Sequence, residues 1–75
     1  MNRVCFNEHR ILGLIIFFYR KKCGLSQMKL AEAVGISRTH MSRIETNDCS
    51  VSLEVIFAIA KALNIPAMKL FEFRD

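Results

Sequence analysis

Glycine is scarce in this chain, with three in 75 residues, and the three do not cluster. A loop that cradles phosphates needs glycines at close spacing, so a nucleotide-binding enzyme of that kind is excluded. The three cysteines, Cys5, Cys23 and Cys49, are odd in number and form no CxxC or Cys/His pattern. A disulfide scaffold and a structural zinc site are therefore not expected; a reducing cytosol fits, with free, buried thiols. His9 and His40 have no cysteine or carboxylate at ligand spacing. Without a metal, cofactor or nucleophile set, and with too little chain to enclose a sizeable cavity, neither an enzyme nor a small-molecule effector site is expected. Long apolar runs are missing too. Residues 11–19, ILGLIIFFY, are far too few to span a bilayer. They run straight into Arg20-Lys21-Lys22 without a small-residue cleavage site, so they read as a helix of a cytoplasmic protein and not as a signal peptide. No repeat, linker or low-complexity segment interrupts the chain.

What remains is apolar and basic. Seventy-five residues allow one domain with one small core, over 1–75, with 1–10 as an N-terminal arm and 72–75 as a tail. A hydrophobic fraction of 52% is high for such a chain and implies apolar surface left over for a partner. Net charge is +4, unevenly spread. Residues 20–43 hold Arg20, Lys21, Lys22, Lys29, Arg38 and Arg43 against a single acid, Glu32, whereas the rest is close to neutral. That concentration suits a phosphate-binding face.

Apolar residues recur at helical spacing throughout, which predicts an all-α fold of five helices. The first covers residues 7–22, with Asn7 as its cap and Arg20, Lys21 and Lys22 at the negative end of its dipole. The second covers 27–34, capped by Ser26. The third covers 38–46, and Asn47 and Asp48 form the turn after it. The fourth covers 53–63, with Ser52 as cap and Asn64 as terminator. Pro66 then leads a fifth over 67–71. Val4 and Phe6 in the N-terminal arm also permit a short strand, which would need a partner such as residues 71–73.

Residues 26–47, SQMKLAEAVGISRTHMSRIETN, carry the most information. Leu30 and Val34 share a buried face at i, i+4. Ala31 is small where two helices must cross closely. Gly35 ends the second helix at a position of positive φ. Ile36 packs inward, Ser37 caps the next helix, and Met41 and Ile44 return to the core. This leaves Arg38, Thr39, His40, Ser42 and Arg43 projecting from the third helix with no acid among them. Such a face suits base edges in a major groove.

These residues resemble the lambda-repressor-like helix-turn-helix family of the Cro/CI or Xre type. The likeness rests on Arg20 followed by GLSQ at 24–27, LAEAVGIS at 30–37, MSRIE at 41–45, SLEVIFAIAKALNI at 52–65 and LF at 70–71, and it extends from about residue 11 to 71. It implies a compact five-helix DNA-binding domain with the second and third helices as the helix-turn-helix. It carries base reading onto Arg38, Thr39 and Arg43, with Ser42 and His40 as further candidates. Gln27 takes the family's phosphate contact, and Ser37 and Lys29 are candidates beside it; Lys21 and Lys22 are left to long-range attraction. It also implies an ion pair between Arg20 and Glu45 that holds the recognition helix from beneath.

Two departures stand out. The turn after the third helix reads Thr46-Asn47-Asp48, and the acid sets a phosphate contact there in doubt. In the first helix, Leu14, Ile15, Phe17 and Phe18 occupy positions the family keeps polar. Half-burial of those four on each of two subunits would give roughly 6–12 kcal/mol, comparable with the ~4–15 kcal/mol cost of association. A homodimer is expected from these residues together with Met68, Leu70, Phe71 and Phe73.

The function expected is that of a sequence-specific transcriptional regulator, dimeric on double-stranded DNA at a near-palindromic operator with half-sites ~10 base pairs apart. Its rival is a protein-interaction module of the same fold, antitoxin-like, with little sequence reading of its own.

Overall fold

The computed structural model describes residues 5–46 and 49–73. Within them the chain forms α1 (Phe6–Lys22), α2 (Gln27–Val34), α3 (Arg38–Glu45), α4 (Leu53–Leu63) and a short 3-10 helix (Ala67–Phe71). No strand occurs among the described residues.

Serine caps start three of the helices. The hydroxyls of Ser26, Ser37 and Ser52 accept from the backbone N–H groups of Lys29, His40 and Val55, satisfying one otherwise orphaned donor each. α2 stops at Gly35, whose φ of 89° an L side chain would strain. α4 ends on Asn64 instead, at φ 58°. There the N–H groups of Asn64 and Ile65 donate back to Lys61 and Ala60. Asparagine tolerates this left-handed conformation, whereas alanine pays roughly 1–2 kcal/mol for it. Asn64→Ala is accordingly expected to lower stability by about 1 kcal/mol, read as an earlier urea midpoint with an unchanged slope.

Several sequence expectations need correction. The fifth helix is 3-10 and not α: Lys69 donates to Pro66 three residues back, in the tighter turn that short helices commonly adopt. The fold is thus four α-helices and a 3-10 helix. α1 begins at Phe6, one residue before Asn7, with Cys5 in a left-handed conformation at its cap and no side-chain capping bond. The ladder already starts at the Cys5 carbonyl, which accepts from His9. Asn7 therefore lies inside the helix, and Phe6 cannot belong to a strand; Val4 lies outside the described residues. Finally, α3 ends at Glu45 and Thr46 is its C-cap.

The helices close around one core. α2 packs on α3 and α4, α1 crosses α3 and α4, and the 3-10 helix seals the gap between α1 and α4. Ile16, Leu30, Met41, Ile56, Ile59 and Leu70 are its largest fully buried side chains, with Leu12, Ala31, Ile44, Ala60 and Leu63 around them. Leu70, expected at a dimer interface, is instead spent in the chain's own core, because the 3-10 helix turns that side chain inward. Ile15 is half-buried against the core. Leu14, Phe17, Phe18, Met68, Phe71 and Phe73 stay exposed. The thiols also differ from expectation: Cys5 and Cys23 sit at the two ends of α1 and are exposed, and Cys49 is half-buried.

One residue passed over in the sequence proves decisive for the packing. Gly13, buried in the middle of α1, lies directly against the last turn of α3. A Cβ there would stand 2.7 Å from the Ile44 carbonyl oxygen and 2.8 Å from that of Glu45. Only a hydrogen side chain lets the two backbones approach this closely.

Candidate nucleic-acid interface

α3 is short, and its orientation is fixed on one side by Met41 and Ile44, both buried. At helical spacing this turns Thr39, Ser42 and Arg43 to the opposite face. Thr39 and Arg43 are exposed, and Ser42 is half-exposed. His40 falls on the flank beside Ile44 and is likewise half-exposed. Arg38, exposed at the first turn of the same helix, also lines a concavity of about 530 Å³ together with Arg20, Lys21, Gly24, Leu25, Ser26, Gln27 and Met28.

That concavity gathers residues from the end of α1, the start of α2 and the start of α3. Lys21, given only a long-range role on sequence grounds, shares it with Arg38 and Gln27. No spacing rule links position 21 to position 38; the tight turn at Gly24 brings them together. Lys29 does not line it. The leading N–H groups of α2, those of Gln27 and Met28, have no acceptor within the helix. With Lys21 and Arg38 near, the concavity favours an anion.

Beneath this surface lies a hydrogen-bonded cluster. Arg20 Nε donates to Glu45 Oε2 at 2.6 Å, and Nη2 donates to Glu45 Oε1 at 3.1 Å. Arg20 Nη1 donates to the Leu25 carbonyl at 2.8 Å. Gln27 Nε2 donates to Glu45 Oε1 at 3.0 Å. The Phe17 ring stacks on the guanidinium, 5.4 Å from its centroid to Cζ. Arg20 and Glu45 are 6% and 7% exposed, so the pair is buried and bidentate, the geometry in which an Arg–carboxylate pair is strongest. It joins α1, the turn, α2 and α3 at one point. One N–H of the Gln27 amide is engaged in this cluster, which leaves the other and the backbone N–H as donors towards a phosphate.

Ser37 is exposed and its hydroxyl caps α3. Thr46 donates back to the Ser42 carbonyl at 2.9 Å and closes the end of the helix. Asn47 and Asp48 lie outside the described residues. Among the described residues no group of three or more His, Cys, Asp or Glu is placed to hold a metal ion, and no helix is long and apolar enough to cross a membrane.

Comparison with known proteins gives a consistent picture. The family model described as "Helix-turn-helix" matches residues 16–70. Control protein C.SmaI of Serratia marcescens is 37% identical over 68 residues, which are 89% of this chain and 81% of that protein. Antitoxin PezA of Streptococcus pneumoniae is 40% identical over 55 residues, 73% of this chain but 35% of that protein. Among solved structures, the restriction-modification controller protein C.AhdI of Aeromonas hydrophila superimposes with a TM-score of 0.84 at 32% identity, covering 87% of this chain and 98% of its own.

Proposed function

Because the chain belongs to the helix-turn-helix family of DNA-binding transcriptional regulators, Xre or Cro/CI type, we propose that α2, the turn at Gly35 and α3 form its DNA-reading unit. The observation that carries this reading is the acid-free polar face of α3 beside the basic concavity at the start of α2. In it α3 enters a major groove, with Arg38, Thr39 and Arg43 reading bases and Ser42 and His40 at the margins. The leading N–H groups of α2, with Lys21, Ser37 and Lys29, hold phosphates; these contacts fix register, and the bases supply specificity. Since a control protein and a controller protein of restriction-modification are among its relatives, the genes regulated are those of a restriction-modification system.

We read the working form as a homodimer. Two recognition helices must lie about 34 Å apart to enter successive major grooves, and the chain measures 30 × 25 × 20 Å. One chain carries a single α3 and is too small to reach two successive grooves, which supports a pair of copies. Leu53 and Phe57, one turn apart on α4 and both exposed, and Met68, Phe71 and Phe73 at the C-terminal end supply apolar surface for the contact. The likeness to antitoxin PezA keeps a second reading in view, an antitoxin-like module whose main contacts are with protein.

Selection from a random duplex pool at ~150 mM salt separates the two. An enriched two-fold motif with half-sites about one turn apart is the expected result; no enrichment from folded protein would sink the regulator reading. On the selected operator, Arg38→Ala with Arg43→Ala is expected to weaken binding on the order of a hundredfold or more, each bidentate base contact being worth ~1–3 kcal/mol. Fluorescence anisotropy at fixed salt reads that loss, and an unchanged melting curve shows that it comes from the interface.

A further inference from the structure

On the flank of α1, beside the 3-10 helix, lies a groove of about 470 Å³ that the DNA-reading surface does not use. It is lined by Ile11, Leu14, Ile15, Phe18 and Tyr19 of α1 and by Lys69 and Glu72 beyond it. Leu14 and Phe18 are 51% and 58% exposed, a large apolar exposure for two neighbouring positions of one helix. Their flanks are charged in one sense. Arg10, Leu14, Phe18 and Lys22 follow one another at four-residue spacing, so an apolar centre has a cation at each end. Lys22 Nζ lies 5.8 Å from the Phe18 ring centroid and 6.0 Å from that of Tyr19, which seats it at the groove's end. Glu72, the acid of the lining, is already paired with Lys69 at 3.6 Å; Arg10 and Lys22 stand just outside the lining, one helical turn beyond Leu14 and Phe18.

This charge pattern disfavours a second copy in the two registers that stack both apolar residues of one groove on both of the other. An antiparallel two-fold pairing that sets Leu14 on the other copy's Phe18 also sets Arg10 on its Lys22. A parallel pairing sets Arg10 on Arg10 and Lys22 on Lys22. Both bring like charges together beside desolvated apolar surface. The geometry points to a different occupant: an amphipathic helix of another protein that carries an apolar pair one turn apart, with an acidic residue one turn before and one turn after it. Such a helix lays its apolar face in the groove and its acids on Arg10 and Lys22, with its backbone crossing Tyr19 and Lys69. This surface is separate from α3, so the inference stands apart from the DNA-binding reading.

The test is a display selection of short helical peptides on the full chain, followed by anisotropy with the enriched peptide and, in parallel, operator binding by the same preparations. Sequences with the acid–apolar–apolar–acid spacing are expected. Phe18→Ser should weaken the selected peptide at least about tenfold while operator affinity changes little. Lys22→Glu should weaken it similarly, and a peptide with the matching acid changed to lysine should recover binding. Circular dichroism establishes that both variants fold. The inference is overturned by any of four results: no enrichment, enrichment of peptides without acids, a Phe18→Ser variant that sediments as a monomer where the parent is a dimer, or tighter peptide binding once residues 1–4 are removed. The third outcome would assign the groove to a second copy, and the fourth to the chain's own arm.

Discussion

Gly13→Ala is expected to destabilise the protein by about 2 kcal/mol, opposite in sign to what the same change does in an isolated helix. Alanine in a helix interior is favoured over glycine by about 1 kcal/mol, so on propensity alone the variant should gain. The added methyl, however, meets the backbone of α3 at 2.7 and 2.8 Å. Backbone carbonyls cannot rotate away as a side chain would, so the helices must separate. Overpacking of this kind typically costs ~1–3 kcal/mol, occasionally more, and here it also pulls Glu45 from Arg20, because Glu45 lies on the turn that must move. The urea midpoint should fall and operator affinity should fall with it. A midpoint that rises in Gly13→Ala would falsify the close α1–α3 approach.

A larger loss, about 3–5 kcal/mol, is expected for Glu45→Ala. The substitution leaves the Arg20 guanidinium in place, nearly excluded from water, with two of its donors and the Gln27 amide deprived of their acceptors. Most of that cost is the penalty of an unpaired buried charge and not the worth of the pair itself. The double variant Arg20→Met with Glu45→Leu removes the charge along with its partner, so it should be much more stable than Glu45→Ala and close to the parent. Its operator affinity should nonetheless be lower, since the apolar pair cannot hold Gln27 and Leu25. Urea unfolding of Glu45→Ala and the double variant, with anisotropy on the double variant, checks both halves. A loss under about 1 kcal/mol in Glu45→Ala would mean that the pair behaves as an exposed one.

The fold was largely legible because its signals are local. Serines at 26, 37 and 52 mark helix starts through their own hydrogen bonds, and Gly35 and Asn64 mark ends through the φ they tolerate. Spacing then picks out Leu30, Met41 and Ile44 as inward-facing, and all three are buried. What escaped the sequence was non-local. Gly13 reads as a weak spot in α1 until the backbone of α3 is beside it. Lys21 reads as one of three basic residues until Arg38 comes round to join it. Leu70 reads as one of four apolar residues near the C-terminal end until the 3-10 turn carries it into the core and leaves Met68, Phe71 and Phe73 outside. Asn7 is a good cap by type, but the ladder of α1 begins at the Cys5 carbonyl with no side-chain cap, a start that no residue type announces.

α3 has eight residues, too few to persist as a helix on its own in water. Its shape exists only while Gly13, Arg20 and the core hold it. Under the proposed reading, a chain in which α3 has come away from the core loses its reading surface, and opening and silence coincide. Competence therefore tracks the population of intact molecules, and proteases that capture opened chains act on regulation directly, by setting how many competent copies a cell holds from one moment to the next.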